Sequence, residues 1–207
     1  MKSLMLCILV VTMINSAQGA ELRFAKVHQQ GQIISPKSGP WHCVLDKQTG
    51  LLWEVKSAQE GAHYYKSTYS WWERQSSQGS EKGGSCAVGD GFVPCDSQDL
   101  VDLYNQLELC GVKNWRVPQL DELSSLVNSS AYPGQPLVPA GLFPLTVKGP
   151  YWTQTWSDDN KQLAMVHFGS GEVGFLKPSG AAWLRLVSSV KGHSSSANQQ
   201  HNQDKEQ

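Results

Sequence analysis

The sequence lacks the features that would place the protein in a membrane or on a nucleic acid. Charged residues make up only 17% of the 207 residues, and the formal net charge is −1. No cluster of lysines and arginines forms the basic stripe that neutralises phosphates in nucleic-acid-binding proteins. The longest apolar run, Leu4 to Ile14, is too short for the roughly 20 residues of a membrane-spanning helix. We therefore expect neither a membrane span nor a nucleic-acid partner.

Familiar catalytic motifs are also missing. The sequence contains no G-x-S-x-G nucleophile elbow and no H-E-x-x-H zinc motif. The stretch from Gly169 to Gly174 satisfies G-x-G-x-x-G, but an apolar strand-like run follows it where a dinucleotide site needs a helix. No acidic residue lies between Glu172 and Asp204 to bind a ribose. We interpret this glycine-rich stretch as a hairpin turn.

Both ends of the chain differ from its middle. Residues 1–20 have the pattern of a secretory signal peptide: Lys2 is basic, the apolar run follows, and Ala17-Gln18-Gly19 is a small-x-small cleavage site. Residues 192–207 are polar and are expected to form a disordered tail. Residues 21–191 then form a single domain. We expect the mature protein to be periplasmic or secreted, with a net charge of −2 once Lys2 is removed.

Four cysteines remain after the predicted cleavage, and an exported protein can keep them oxidised. Four cysteines allow three pairings. Cys86 and Cys95 flank a short glycine-rich loop, which favours a local bridge between them and leaves Cys43 to pair with Cys110. A zinc site is disfavoured because no Cys-x-x-Cys pair is present.

Two adjacent segments have helical patterns. The first has Asp96 as an N-cap with an acid three residues later, and its apolar residues recur at helical spacing until Gly111. The second begins near Pro118, with Asp121 and Glu122 in its first turn. These features predict two helices in the middle of the chain.

Short strands and long loops make up the rest of the domain. The predicted strands are residues 51–53, 151–155, 164–168, 173–176 and 183–187. Two long irregular stretches cover about residues 57–95 and 129–150. This arrangement predicts an α+β domain with small, mostly antiparallel sheets.

The eight tryptophans suggest both a core and a binding surface. Trp53, Trp115, Trp152 and Trp183 lie in apolar contexts and are predicted to be core residues. Aromatic residues of the loops are harder to bury together, and some of them are expected to form an exposed stacking platform. The candidate ligand-binding residues are Tyr69, Trp71, Trp72, Glu73, Trp156, Asp158, Asp159 and Asn160.

Asp158, Asp159 and Asn160 also form a weak candidate site for calcium, because oxygen-rich turns can bind this ion. The alternative is a simple turn, since Asp and Asn side chains hydrogen-bond their own backbone. No other cofactor is expected.

Several ordered motifs together resemble a known bacterial family, the C-terminal domain of the Legionella collagen-like adhesin. They occur between residues 41 and 188. The motifs are Cys43-Val44-Leu45-Asp46, Thr49-Gly50-Leu51-Leu52-Trp53-Glu54, Thr68-Tyr69-Ser70-Trp71, Gly84-Ser85-Cys86, Leu109-Cys110-Gly111, Asn114-Trp115-Arg116-Val117-Pro118, Tyr151-Trp152-Thr153, Val166-His167-Phe168 and Leu184-Arg185-Leu186-Val187.

The resemblance implies a fold similar to C-type-lectin-like and sulfatase-modifying-factor (formylglycine-generating-enzyme) domains, with two helices, small antiparallel sheets, long ordered loops and two disulfides. This sequence departs from the family in one motif, because Gln119 stands where a threonine usually follows Pro118. It also lacks the calcium triplets of lectins, since Leu137 follows Gln135-Pro136.

Our leading hypothesis is a non-catalytic exported module for binding or adhesion, which recognises a glycan or a cell-surface protein through its long loops. The first alternative is a redox enzyme of the formylglycine-generating type, which would use Cys86 and Cys95 as a thiol pair. The second alternative is a structural accessory of a surface assembly.

Overall fold

The structure is a computed structural model that describes residues 23–61 and 63–190. The predicted signal peptide and the predicted tail lie outside the described residues. Within the described residues the chain forms two α-helices and eleven short strands. The helices are α1 (Ser97–Leu107) and α2 (Leu120–Ser124). The strands are β1 (Phe24–Val27), β2 (Cys43–Asp46), β3 (Leu51–Glu54), β4 (Trp72–Glu73), β5 (Gln78–Gly79), β6 (Cys86–Val88), β7 (Gly91–Val93), β8 (Pro150–Trp156), β9 (Leu163–His167), β10 (Val173–Leu176) and β11 (Val187–Ser189).

The strands form small antiparallel sheets, which confirms the predicted α+β class. One sheet has four strands in the order β1-β2-β3-β11, and another has three in the order β10-β9-β8. The pairs β4-β5 and β6-β7 are separate hairpins. None of the helices in the described part of the chain is long and apolar enough to cross a membrane.

Helix α1 begins where the sequence predicts. The Asp96 carboxylate accepts hydrogen bonds from the backbone N–H groups of Gln98 and Asp99, and Asp99 accepts one from the N–H of Asp96. This reciprocal capping satisfies N–H groups that have no partner inside the helix. The helix ends at Leu107, and its C-cap Glu108, with a left-handed φ of 50°, lies three residues before the predicted stop at Gly111.

Helix α2 is short and is fixed by its neighbours. The Glu122 carboxylate accepts a hydrogen bond of 2.7 Å from the backbone N–H of Gln119. Its two oxygens also accept hydrogen bonds of 2.7 Å and 2.6 Å from the Arg116 guanidinium. This bidentate pair ties the start of α2 to the segment that follows Trp115.

The predicted strands are confirmed except for the last one. Residues 173–176 form β10 with the predicted bounds, and the turn before it is a hairpin in which His167 Nδ1 accepts hydrogen bonds from Gly169 and Ser170. The strand predicted over residues 183–187 was wrong in its bounds, since β11 covers Val187–Ser189. Trp183 forms an isolated bridge to Tyr151, because the residues on either side of Trp183 do not extend the pairing with β8.

Two clusters of buried apolar side chains form the core. Trp53, Trp115 and Trp152 are buried as predicted, whereas Trp183 is only half-buried. The disulfide Cys43–Cys110 joins β2 to the turn after α1, and Cys86–Cys95 closes the segment that contains the β6-β7 hairpin. Both predicted pairings are confirmed.

Candidate functional site

An open groove lies at one end of the three-stranded sheet. Trp156 at the end of β8, Phe175 of β10 and Ala164 of β9 all contribute to its lining. Leu120 of α2 and Thr155 complete the apolar and polar lining, and the turn from Ser157 to Asp159 forms the rim. The groove therefore combines two aromatic residues with an oxygen-rich rim.

Trp156 is held by a buried ring. Its indole packs edge-on against that of Trp71, with the ring centroids 5.1 Å apart and an interplanar angle of 80°. Trp71 is only 2% exposed, and its backbone N–H donates to the carbonyl of Pro178. The half-buried Trp156 ring therefore packs against a buried neighbour, which favours one orientation of the ring.

Phe175 reaches the groove because of its place in β10. This strand pairs with β9 so that Phe175 lies opposite Ala164. The Phe175 side chain remains 50% exposed, as one of two outward-facing apolar residues of this strand. Sequence reasoning missed Phe175. Alternation along the strand shows that Phe175 shares a face with Val173, but it does not show which face is exposed.

The wall beside the groove connects β8 to α2. Thr155 Oγ1 accepts a hydrogen bond of 3.0 Å from the backbone N–H of Leu120 and lies 3.0 Å from Gln119 Oε1. The Gln154 N–H also donates to the carbonyl of Pro118, at 2.8 Å. The family motif usually has a threonine at position 119, which would place its hydroxyl at the start of the helix. In this chain Thr155 of β8 provides a hydroxyl at that place.

The rim is a turn that satisfies much of its own hydrogen bonding. Asp159 Oδ1 accepts hydrogen bonds from the Ser157 hydroxyl at 2.7 Å and from the Lys161 N–H at 3.2 Å. These bonds hold the pKa of Asp159 below its usual range, the Ser157 hydroxyl having the larger effect. The neighbouring Asp158 side chain is exposed and makes no hydrogen bond within the described residues. Asp158 is therefore the carboxylate that remains available to a ligand.

The calcium candidate lies on this rim. Asn160 adopts a left-handed φ of 54°, and its N–H donates to the carbonyl of Ser157. Among the residues that the structure describes, no three His, Cys, Asp or Glu side chains converge as metal ligands. The geometry is that of a turn stabilised by its own side chains, and calcium binding at Asp158, Asp159 and Asn160 stays a prediction.

The other predicted site residues, which come from residues 69–73, do not line the groove. Tyr69 and Trp71 are each 2% exposed, so neither ring can stack with a ligand, and this part of the predicted platform is corrected. Tyr69 is buried because its backbone pairs with Ala182 and its carbonyl accepts a 2.6 Å hydrogen bond from the Trp152 indole N–H. Trp72 and Glu73 are half-buried in β4 and do not line the groove.

A buried charge cluster lies elsewhere in the molecule and was not predicted. Glu54 forms an ion pair with Lys56, and both side chains are buried. Burial alone would raise the pKa of Glu54, but Lys56, His63 and the Leu186 N–H hold it below its usual range. The Arg185 guanidinium donates to the Glu54 carbonyl at 3.1 Å and to the Thr146 hydroxyl at 2.8 Å. The cluster brings together two of the sequence motifs. One motif ends in Glu54, and the other contains Arg185.

The chain matches a known protein family. The family model of the Lcl C-terminal domain matches residues 42–188. No curated protein and no solved structure matches the chain.

Proposed function

The chain belongs to the Lcl C-terminal domain family, and we propose that it is a non-catalytic exported module that binds a glycan in the groove between Trp156 and Phe175. The observation that carries the proposal is that Trp156 and Phe175, from the two outer strands of the sheet, line one open groove together with the oxygen-rich turn. A sugar ring presents C–H groups on its faces and hydroxyl groups around its edge. Aromatic faces carry negative partial charge and attract such C–H groups.

The rim supports the same function. A ring stacked on Trp156 would place its hydroxyl groups near the exposed carboxylate of Asp158 and the polar side chain of Thr155. Sites for small ligands combine mostly apolar walls with a few polar groups that fix orientation. Because Trp156 rests on the buried Trp71, little ordering free energy is lost when a ligand binds.

A titration of the purified protein with a panel of neutral oligosaccharides tests this function. Chemical-shift changes should concentrate on the resonances of Trp156, Phe175 and Asp158. Trp156→Ala and Phe175→Ala should each raise the Kd about tenfold or more, because stacking contacts are lost. Repeating the titration with calcium and then with a chelator decides whether the rim turn uses the ion.

Two control variants sharpen the test. Tyr132→Ala removes an exposed aromatic ring that lies outside the groove lining, and Trp72→Ala removes a predicted site residue that does not line it. Both variants should bind like the wild type. Loss of binding in Trp72→Ala with retention in Trp156→Ala would instead locate the site at β4.

The redox-enzyme alternative makes a different demand on Cys86 and Cys95. It needs a thiol that is free or easily reduced, whereas the structure joins the two sulfurs in a disulfide. Thiol labelling of the exported protein under non-reducing conditions distinguishes the two functions. Labelled Cys86 or Cys95 in the folded protein would favour the enzyme.

A further inference from the structure

Strand β10 is the outer edge of the three-stranded sheet. Among the residues that the structure describes, it pairs with β9 alone, with Gly174 opposite Met165 and Phe175 opposite Ala164. Glu172, just before β10, lies opposite His167, just after the paired part of β9. These two residues form a hydrogen-bonded pair, since the His167 N–H donates to the Glu172 carbonyl at 2.9 Å. Antiparallel strands alternate hydrogen-bonded and non-bonded pairs. The backbone N–H and C=O groups of Val173 and Phe175 therefore point away from β9.

Nothing in the described part of the chain covers this edge. Apart from the ladder to β9, no hydrogen bond in the described residues uses the backbone groups of Val173 or Phe175. The two side chains are 48% and 50% exposed. Strand β10 has only four residues and contains no lysine, proline or bulge, and Lys177 and Pro178 follow it directly. An apolar edge with free backbone groups can accept an additional strand.

Charged residues stand at both ends of the edge. Glu172 precedes β10 and Lys177 follows it, and both side chains are exposed. Neither forms an ion pair within the described residues. A strand that lies alongside β10 would thus meet one free negative charge and one free positive charge at a fixed separation. Opposite charges directly across two strands stabilise their pairing.

We propose that β10 is the docking edge for an extended peptide segment of a partner protein, which adds to the sheet as a fourth strand. Its backbone bonds to the N–H and C=O groups of Val173 and Phe175, and its apolar side chains pack beside theirs. Antiparallel addition places an acidic residue opposite Lys177 and, five positions later, a basic residue opposite Glu172. This partner is distinct from the glycan of the proposed function, although Phe175 contributes to both surfaces.

A designed peptide tests the edge without knowledge of the natural partner. The probe is acetyl-Glu-Thr-Val-Thr-Val-Lys-amide, in which the two valines lie opposite Phe175 and Val173. Its matched control carries N-methyl groups on those two valines, which removes the N–H groups that would face β10. The free protein should show unprotected Val173 and Phe175 amides by hydrogen exchange. The probe should protect and shift them, and the methylated peptide should bind at least about tenfold more weakly.

Protein variants check the same contacts outside the glycan groove. Val173→Pro removes an outward N–H without removing a bond to β9, and Lys177→Glu reverses one end charge; both should weaken probe binding. Circular dichroism and the intact Cys86–Cys95 bridge verify folding. Equal binding of the two peptides, or no shift at millimolar probe, would overturn the proposal. Concentration-dependent protection of the two amides without peptide would also overturn it, by showing that a second copy of the chain occupies the edge.

Discussion

The hydroxyl group of Tyr104 donates a hydrogen bond of 2.7 Å to the carboxylate of Glu54, and both residues are fully buried. Tyr104 lies in the middle of α1, whereas Glu54 ends β3. The other Glu54 oxygen accepts a hydrogen bond of 2.8 Å from the Leu186 N–H. One carboxylate thereby connects the first helix, the four-stranded sheet and the segment before β11.

Replacing Glu54 should destabilise the protein strongly. Glu54→Gln keeps the shape of the side chain but leaves the Lys56 ammonium buried without its counter-charge. Breaking a buried ion pair in this way costs about 3–5 kcal/mol. Urea unfolding measures the change in the free energy of unfolding. Arg74→Gln breaks an exposed ion pair with Asp102 and should change it by less than about 1 kcal/mol. Similar losses in the two variants would contradict the role of the buried pair.

Stability should also depend on the protonation of His63. Its Nδ1 lies 2.8 Å from the Tyr104 hydroxyl, and burial lowers the pKa of His63 below the ordinary value of 6.5. The native state therefore favours the neutral ring. The unfolded chain takes up a proton first as the pH falls through 6.5, so stability is complete above that pH and decreases below it. The loss stops once the pH is below the lowered pKa of the native state.

The measurement for His63 is a series of urea unfolding curves between pH 8 and pH 5. The wild type should lose stability toward the acid end, and His63→Gln should show a smaller slope over the same range. Some slope remains, because burial also lowers the pKa of His42. An unchanged slope in His63→Gln would show that other groups cause the whole dependence.

Features that depend on residues close together in the sequence could be predicted, whereas features that depend on contacts between distant parts of the chain could not. The start of α1 and both bounds of β10 follow from local patterns, because caps and alternation involve neighbouring residues. The burial of Tyr69 does not, since its carbonyl is bonded by the indole of Trp152, 83 residues away. Residues of a long loop look available for binding until a distant strand covers them.

The candidate site shows the same limit. Trp156 and the rim turn were predicted because an aromatic residue precedes several side-chain oxygens in the sequence. Phe175 was not, because its contribution depends on the register between β9 and β10, which places it opposite Ala164. A one-residue change in that register would turn the ring to the other face of the sheet.

The two disulfides should contribute different amounts of stability. Cys43 and Cys110 are 67 positions apart, whereas Cys86 and Cys95 are separated by 9. A longer closed loop restricts the unfolded chain more, so the first bridge is expected to contribute about 4 kcal/mol and the second about 3 kcal/mol. Double alanine variants of each pair, compared by urea unfolding, measure the difference. A larger loss for the Cys86–Cys95 pair would show that effects in the native state outweigh loop entropy.

Gly84 should be far less tolerant of substitution than Gly91, although both are glycines of the same stretch of chain. A Cβ atom at Gly84 would collide with the Thr68 carbonyl and the Tyr69 Cα and lie 2.7 Å from the Cys95 carbonyl oxygen. All of these atoms belong to the backbone, so the two segments would have to separate. Gly91 has no other group within 4 Å of such an atom, and its φ is not positive.

Gly84→Ala should therefore lower the free energy of unfolding by about 1–3 kcal/mol or more, as overpacking does, and Gly91→Ala should change it by less than about 1 kcal/mol. Equal stability of the two variants in urea would show that the chain around Gly84 can move apart without cost.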